Sequence, residues 1–402
     1  MTDLGFQPFD ADHHYYEAED AFTRHIDPKM AKRCMQWAEI GGKKRLLVGG
    51  KVNKFIPNPT FDPIAAPGSL EDYFRGRNTE GLDLKTMFGE LDPIAEHPPY
   101  RDRAARVRQL DEQGLAGALL FPTLGVGMQE ALRRDIPALH AAFSAFNSWL
   151  DDDWGFDRGD GRLYAAPMIT FADPTKAEAE VQRVLDAGAR VLVTIPGPIP
   201  DGEEGYCSPG HPKYDRVWGL IAESGVPMVL HAGLSGVSHY GKFWRNAPAG
   251  EGGGGFEGFK HAAFPLVAFA DRGISDTLAA MVCHGLLERF PALRIASIEN
   301  GAMWVPEPPA QPARRPRQDA LRLQGAPGGA VPPPGLDLPV LRRRHGPPAR
   351  RGRDRAADVR LELPSPRACW TSGLREGHPE FDAAETKAVM RDSVLEFLGL
   401  TA

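Results

Sequence analysis

A regular alternation of helical segments with short apolar runs constrains the fold of this chain more than any other feature. Five apolar runs recur behind helical patterns, at Ala116–Pro122, Leu163–Ile169, Val191–Ile195, Pro227–His231 and Leu293–Glu299. Short, nearly continuous apolar runs are typical of parallel strands buried on both faces. Together with a strand near residue 9, they predict an α/β protein with a (β/α)8 barrel. A doubly wound sheet is the alternative, and the lack of a Gly-rich phosphate turn after the first strand weakens it.

Two residues of types that commonly ligate metals lie at the end of the first predicted strand. Asp12 and His14 are two residues apart, and side chains at this spacing share one face of a strand. A carboxylate and an imidazole on one face can chelate a divalent cation. The alternative is a polar strand end where both residues only cap or turn the chain.

Composition limits the classes of function. The chain has 402 residues, enough for one large barrel or two ordinary domains, and its net charge of −6 gives no reason to expect nucleic-acid binding. Neither a bilayer-length apolar run nor a signal segment is present, so we expect a cytoplasmic protein without membrane contact. The four cysteines have no paired spacing, which favours free thiols over disulfides or a thiolate metal site.

Two further strand ends carry residues that suit metal or acid–base chemistry. His231 closes one apolar run and Glu299 closes a later one. In a (β/α)8 barrel, the active site lies at the carboxyl ends of the strands. Asp12, His14, His231 and Glu299 are therefore expected to converge on one site. His284 lies in a predicted helix, and we interpret it as structural.

The order of these motifs resembles the amidohydrolase-related family, in the branch of aminocarboxymuconate semialdehyde decarboxylase. The matching features are Asp12-x-His14, the segment Val229-Leu230-His231-Ala232-Gly233, and the run from 288 to 295 that leads into Glu299-Asn300-Gly301. The resemblance implies a TIM-type metal-dependent hydrolase barrel in residues 1–306, with its last helix in 370–402. It implies a small carboxylic acid substrate, a Zn²⁺ or Mn²⁺ cofactor and a homodimer. The implied reaction is non-oxidative decarboxylation of an aromatic or unsaturated acid, or else hydrolysis on the same scaffold.

The resemblance also assigns roles to single residues. Asp12 and His14 replace the first-strand His-x-His of the family and would be metal ligands, and His231 matches the metal-binding histidine of the fifth strand. Glu299 stands where many members have a catalytic histidine; it could ligate the metal, act as acid or base, or be structural. His239 and Tyr240 are expected substrate contacts in the loop after His231.

Local patterns add three expectations. Residues 17–25 are predicted to form a helix. Residues 45–77 are rich in Pro, Gly and Asn and are expected to form an irregular cover over the site, with a hairpin at 46–56. The helix before the last recognised strand is predicted over 276–290.

Residues 307–369 do not fit the rest of the chain. Within 308–368 there are 13 Arg and 13 Pro but no Lys, Ile, Phe, Trp or Tyr, and such a segment cannot form buried parallel strands. It is either a disordered insertion, a basic segment for an acidic partner or RNA, or the product of two compensating frameshifts. The last reading is favoured because the codons for 359–368, shifted by one nucleotide, are compatible with Phe-Gly-Ser-(Asn or Ser)-Phe-Pro-His-Pro-Glu, which resembles the eighth-strand motif of the family. The barrel is then expected to be incomplete at its seventh and eighth strands, and the chain could be inactive or a non-enzymatic binding protein.

Overall fold

Parallel strands form the centre of the molecule. The computed structural model of the chain describes residues 4–56, 58–65, 91–202, 205–237, 271–300 and 383–400. Its central strands are β1 (Phe9–His14), β2 (Gly117–Phe121), β3 (Leu163–Ala165), β4 (Leu192–Thr194), β5 (Met228–His231) and β6 (Ile295–Ile298). They lie in chain order in two parallel three-stranded sheets, β1-β2-β3 and β4-β5-β6. A parallel bridge between Met168 and Val193 joins the two sheets.

The helices lie between these strands along the chain, as the alternating pattern predicts. The longer ones are α1 (Arg103–Gln113), α2 (Ile136–Asp153), α3 (Pro174–Asp186), α4 (Asp215–Ser224) and α5 (Arg272–Cys283). Asp102, Asp135 and Asp173 cap the amino ends of α1, α2 and α3, and each carboxylate accepts a first-turn N–H. Shorter α-helices lie at Met128–Ala131, Leu286–Arg289, Ala383–Lys387 and Ser393–Phe397, with a π-helical turn at Ala388–Asp392 and 3₁₀ turns at Ile94–Glu96, Pro98–Tyr100, Gly125–Gly127 and Pro212–Tyr214.

The α/β class with a parallel sheet is therefore confirmed. The described residues do not contain a closed barrel. The Arg/Pro-rich segment 307–369, where the barrel is expected to be incomplete at its seventh and eighth strands, lies outside the described residues. The helix expected near the carboxyl end is present over 383–397, where Arg294 donates to the Glu396 carbonyl at 2.5 Å.

The part of the chain between β1 and α1 contains small antiparallel sheets. Met35–Ile40, Lys43–Val48 and Lys51–Val52 form one sheet, and Ile64–Ala65 pairs with Leu91–Asp92. The hairpin predicted at 46–56 is present as a short one, in which Leu47 pairs with Val52 and Val48 with Lys51 around a turn at Gly49 and Gly50. A longer hairpin, which the sequence did not predict, turns at Gly41 and Gly42; all four glycines have positive φ angles.

Two predicted helices differ from the structure. Residues 17–25 form turns instead of a helix, because tertiary donors occupy their carbonyls: Arg101 donates to Glu17 O at 2.9 Å and Trp37 Nε1 to Glu19 O at 2.7 Å. The helix predicted over 276–290 ends at Cys283, because Gly285 takes a left-handed φ of 70°.

Among the helices that the structure describes, none combines the length and the apolar character that a bilayer crossing requires. Cys34, Cys207 and Cys283 are free thiols, as expected; Cys369 lies outside the described residues.

Candidate metal centre

Three of the predicted site residues meet at the carboxyl ends of β1 and β5. His231 Nε2 lies 3.3 Å from Asp12 Oδ1 and 3.2 Å from His14 Nε2. Asp12 Oδ1 also lies 3.2 Å from His14 Nε2, so the three atoms form a nearly equilateral triangle. All three residues are buried, with residue exposures of 1%, 6% and 0%. These residues form the one group of His, Cys, Asp or Glu side chains with metal-ligand spacing that the described part of the chain contains.

The hydrogen bond made by Nδ1 of each histidine fixes the tautomer of the ring. His14 Nδ1 lies 3.1 Å from the Pro122 carbonyl, and His231 Nδ1 lies 2.8 Å from the Ala232 carbonyl. A carbonyl oxygen can only accept, so each Nδ1 must carry the proton and donate it. Each neutral ring therefore presents the lone pair of Nε2 to the centre of the triangle. Metal-ligating histidines are oriented by the same kind of hydrogen bond.

The separations of the three atoms suit one bound cation. Ligand atoms at about 2.0–2.2 Å from a common zinc or manganese ion lie roughly 2.8–3.6 Å apart, from octahedral to tetrahedral angles. The observed 3.2–3.3 Å falls inside this range. In addition, Asp12 Oδ2 is buried without a hydrogen-bond partner. Two imidazoles and one carboxylate are a donor set that binds both Zn²⁺ and Mn²⁺, so the residues fit a divalent metal.

Without a cation, the triangle must hold a proton. Burial lowers the pKa of His14, but the hydrogen bond and the charge of Asp12 outweigh it and raise this pKa to about 9. Burial acts to raise the pKa of Asp12, yet hydrogen bonds from His14 and His231 hold it well below its usual range. The site therefore stabilises positive charge at its centre.

Glu299 follows β6 at the edge of the same site. Its Oε2 atom lies 3.8 Å from His231 Nε2, and its side chain is 41% exposed. Its φ angle is 59°, a left-handed conformation that is rare for a non-glycine residue and that concentrates at functional sites. Asn300 holds this turn, since its Nδ2 donates to the carbonyls of Leu230 and Ile298 at 2.8 and 2.7 Å.

Two further buried residues, Asp10 and Arg106, support the backbone of β1. Asp10 Oδ1 accepts the N–H of Asp12 at 3.0 Å, and Asp10 Oδ2 lies 2.6 Å from His13 Nδ1. The register of β1 against β2 shifts between Asp10 and His13, so this carboxylate holds the strand at its irregular point. Arg106, which is fully buried, donates from Nη2 to the His14 carbonyl at 3.0 Å. Both residues hold the backbone that carries the two ligands of β1.

Glu17 connects β1 to the segment after β2. Its Oε1 atom accepts the N–H groups of Leu124 and Gly125 at 2.8 and 2.9 Å. The residue is 2% exposed, and burial raises the pKa of its carboxyl to about 7, although backbone hydrogen bonds partly oppose this shift.

The sequence indicated the members of the triangle but not the residues that support it. His239 and Tyr240, the expected substrate contacts, lie outside the described residues. His284 lies at the end of α5, where its Nδ1 is 2.6 Å from Ser208 Oγ, and it does not belong to the group with metal-ligand spacing. Asp10 and Glu17 flank the Asp12-x-His14 motif, and that proximity is the signal that could have indicated them. Nothing in the sequence around Arg106 distinguishes it from other helix residues.

Comparisons with known proteins assign this chain to a family. The crystal structure of the amidohydrolase map2389c from Mycobacterium avium subsp. paratuberculosis K-10 is 34% identical, with a TM-score of 0.79, and the match covers 99% of this chain and 100% of that one. The 2,6-dihydroxybenzoate decarboxylase of Rhizobium is 21% identical over 63% of this chain and 73% of that one, with a TM-score of 0.36. The dihydroxybenzoic acid decarboxylase of Polaromonas sp. JS666, solved with manganese and 2-nitroresorcinol, is 17% identical over 61% and 70%, with a TM-score of 0.39. No family model and no curated protein matches the sequence.

The fold and the site together define a parallel α/β protein with a buried candidate centre for one divalent metal. The sequence identity to map2389c, over nearly the full length of both chains, also shows the family of this chain. The chain belongs to the amidohydrolase family, as the order of its motifs predicted. The two decarboxylases are too distant in structure to carry an argument about this chain.

Proposed function

We propose that this chain is a metal-dependent enzyme that decarboxylates a small aromatic or unsaturated carboxylic acid. The observation that carries the metal part of the proposal is the convergence of Asp12 Oδ1, His14 Nε2 and His231 Nε2 within 3.2–3.3 Å of one another. Three protein ligands with open positions are typical of catalytic rather than structural metal sites. Decarboxylation is supported by the order of the motifs around Asp12, His231 and Glu299.

The proposed roles follow from geometry and charge. Asp12, His14 and His231 would hold Zn²⁺ or Mn²⁺, and the bound cation would supply Lewis acidity toward an oxygen of the substrate or of water. Glu299 lies beside this centre and is partly exposed, so it can reach both a bound ligand and solvent. In the decarboxylase it would give a proton to the carbon that loses carbon dioxide.

A hydrolase on the same scaffold is the second candidate. The observation that favours it is the relative at 34% identity, which is itself named an amidohydrolase. In that reaction Glu299 would accept a proton from the attacking water. The TIM-type barrel of 1–306 completed by the helix in 370–402, the cover formed by residues 45–77, the homodimer and the cytoplasmic location remain predictions.

The test is a reaction in deuterium oxide with manganese-loaded protein and a panel of hydroxybenzoic acids labelled with ¹³C in the carboxyl group. A decarboxylase releases the label as carbon dioxide and places one deuterium on the product carbon. A hydrolase keeps the label in the product when it is offered the corresponding esters, lactones and amides. His231→Ala serves as the inactive control, and label release that this variant retains would contradict the metal-dependent mechanism.

Glu299 needs a separate experiment. Glu299→Gln keeps the shape of the side chain but removes its proton-transfer capacity, so we expect kcat to fall by about 100-fold with metal affinity within about threefold of the original. If metal affinity falls instead, Glu299 is a ligand. An unchanged kcat would leave it with a structural role at the turn.

A further inference from the structure

The two histidine ligands are oriented by carbonyls that belong to adjoining segments. Pro122 O sets the tautomer of His14, and Ala232 O sets the tautomer of His231. Pro122 begins the segment 122–126 after β2, and Ala232 begins the segment 232–234 after β5. The orientation of both rings therefore depends on where these two segments lie.

The two segments are joined by their backbones. The N–H of Leu234 donates to the Val126 carbonyl at 3.0 Å. The approach is close, since a Cβ atom on Gly233 would lie 2.7 Å from that same carbonyl oxygen. A shift of segment 122–126 would therefore pull on both carbonyls that orient the ligands.

Segment 122–126 is in turn fastened to the end of β1. Thr123 Oγ1 donates to the Tyr15 carbonyl at 2.6 Å, and Glu17 Oε1 accepts two consecutive N–H groups from Leu124 and Gly125. Among the described residues, Glu17 is the side chain that accepts both of these N–H groups. Buried backbone donors are costly to leave unpaired, so the carboxylate fixes the position of the segment.

We propose that Glu17 is a positioning residue that holds His14 and His231 in their metal-binding tautomers through segments 122–126 and 232–234. This inference rests on the proposed metal-dependent function. Glu17 follows the Asp12-x-His14 motif in the sequence and would support the same site. Glu17 itself does not contact a ligand atom in this scheme, and it acts through the backbone.

The experiment measures the affinity of the full-length, metal-free protein for Mn²⁺ and Zn²⁺ by competition with a chelator. We expect Glu17→Ala to bind each metal 10- to 100-fold more weakly, the usual range when a supporting residue of a metal site is lost. Glu17→Asp retracts the carboxylate by one methylene and is expected to weaken binding about 10-fold. Glu17→Gln keeps an oxygen acceptor for both N–H groups and is expected to remain within about threefold.

Glu180→Ala is the matched control. Glu180 is a partly buried carboxylate on α3 that also accepts several hydrogen bonds, but its partners are Ser144, Asn147 and Arg183. Its removal is expected to leave metal affinity unchanged. Near-ultraviolet circular dichroism identifies variants that fail to fold, and if Glu17→Ala does so, Glu17→Asp decides the question.

Three outcomes would overturn the inference. Original affinity in both the Ala and the Asp variant removes the positioning role. Affinity as weak in the Gln variant as in the Ala variant shows that charge, and not an acceptor atom, is required. An equal loss in Glu180→Ala shows a general effect of destabilisation.

A second measurement separates this inference from the proposed function. If the original protein binds no metal, the metal-dependent function fails, yet ¹⁵N NMR of the histidine rings at pH 10 still reports their tautomers. Glu17 is then a positioning residue if the Nδ1–H tautomer of His14 and His231 is present in the original protein and lost in Glu17→Ala. Equal spectra of the two proteins would refute it.

Discussion

Two polar clusters inside this molecule each contain a carboxylate, and they differ in where their atoms point. In the first, Asp12, His14 and His231 direct their free atoms to one central point. In the second, Asn147 donates to Met168 O at 2.9 Å and to Glu180 Oε1 at 2.8 Å, while its own Oδ1 accepts the Met168 N–H at 2.8 Å. Each donor of the second cluster meets an acceptor within the protein. Burial of polar groups therefore does not by itself indicate a functional site; convergence on a point without a protein partner does.

The difference has an energetic meaning. A closed hydrogen-bond network contributes to stability, because removal of one member leaves the others unpaired in a medium that solvates them poorly. The converging cluster places two lone pairs and a carboxylate oxygen next to one another, which is favourable only when a proton or a cation lies between them. The first cluster is thus expected to govern metal affinity and the second to govern folding.

The largest expected effect concerns the converging cluster. His231→Ala removes one of the three proposed ligands, and we expect the metal content to fall from near one ion per chain to below about a tenth, with at least a roughly 1000-fold loss of affinity. Elemental analysis of the purified protein measures the content. Retained metal would remove the distinction between the two clusters.

Asn147→Leu makes the opposite prediction for the closed cluster. The change leaves the Met168 N–H and carbonyl without their partners and removes one hydrogen bond to Glu180 Oε1, to which Arg183 still donates. We expect this to cost about 3 kcal/mol of stability. Urea denaturation of the metal-free protein measures this, and the metal content of the folded variant is expected to equal that of the original. A variant that keeps its stability would show that the closed cluster contributes little to folding.

His140 extends the comparison to a buried imidazole with a protein partner. Its Nε2 accepts the N–H of Asp173 at 2.9 Å, and burial lowers its pKa from 6.5 to about 4. Below pH 6.5 the imidazole of His140 therefore takes up a proton in the unfolded chain, whereas in the folded chain it does so only near pH 4. The stabilisation of the folded chain by neutral His140 is complete above pH 6.5 and is lost as the pH falls. At pH 5 the loss is about 2 kcal/mol.

The check is urea denaturation at pH 5 and pH 7.5 of the original protein and of His140→Gln, which keeps an acceptor for the Asp173 N–H. The variant is expected to lose about 2 kcal/mol less stability between these two pH values. An equal pH dependence of the two proteins would mean that the proton is taken up elsewhere.

The smallest effect is expected for the charge within the closed cluster. Glu180→Gln keeps an oxygen for Asn147 and removes the ion pair with Arg183, whose side chain is 39% exposed. Because solvent screens such a pair, we expect a loss of only about 1 kcal/mol in urea denaturation and no change in metal affinity. A loss as large as that of Asn147→Leu would show that charge, and not the amide, closes this cluster.

The sequence predicted the parallel strands and the three members of the converging cluster, because both depend on local patterns. Apolar runs mark strands that are buried on both faces, and the strand period of two places Asp12 and His14 on one side. The strand ends at His231 and Glu299 could be placed in the same region once the strands were taken as parallel.

The supporting residues could not be predicted, because their roles depend on contacts between distant segments. Glu17 was expected in a helix, yet its carboxylate binds the N–H groups of residues 124 and 125. Arg106 reaches the His14 carbonyl across 92 positions of the chain. Local propensity contains no information about such pairings. The position of the turn at Gly285 was missed for a simpler reason, since the helical pattern continues on both sides of it.

The groups that orient the two histidines are main-chain carbonyls, at Pro122 and Ala232, and the link between their segments is also made by the main chain, at Val126 and Leu234. Main-chain atoms are present whatever the side chain. The side chains at these positions can therefore be exchanged without removing the atoms that orient His14 and His231. The proposed metal centre would then keep the orientation of its two imidazoles while point mutations at these positions alter what lies around it.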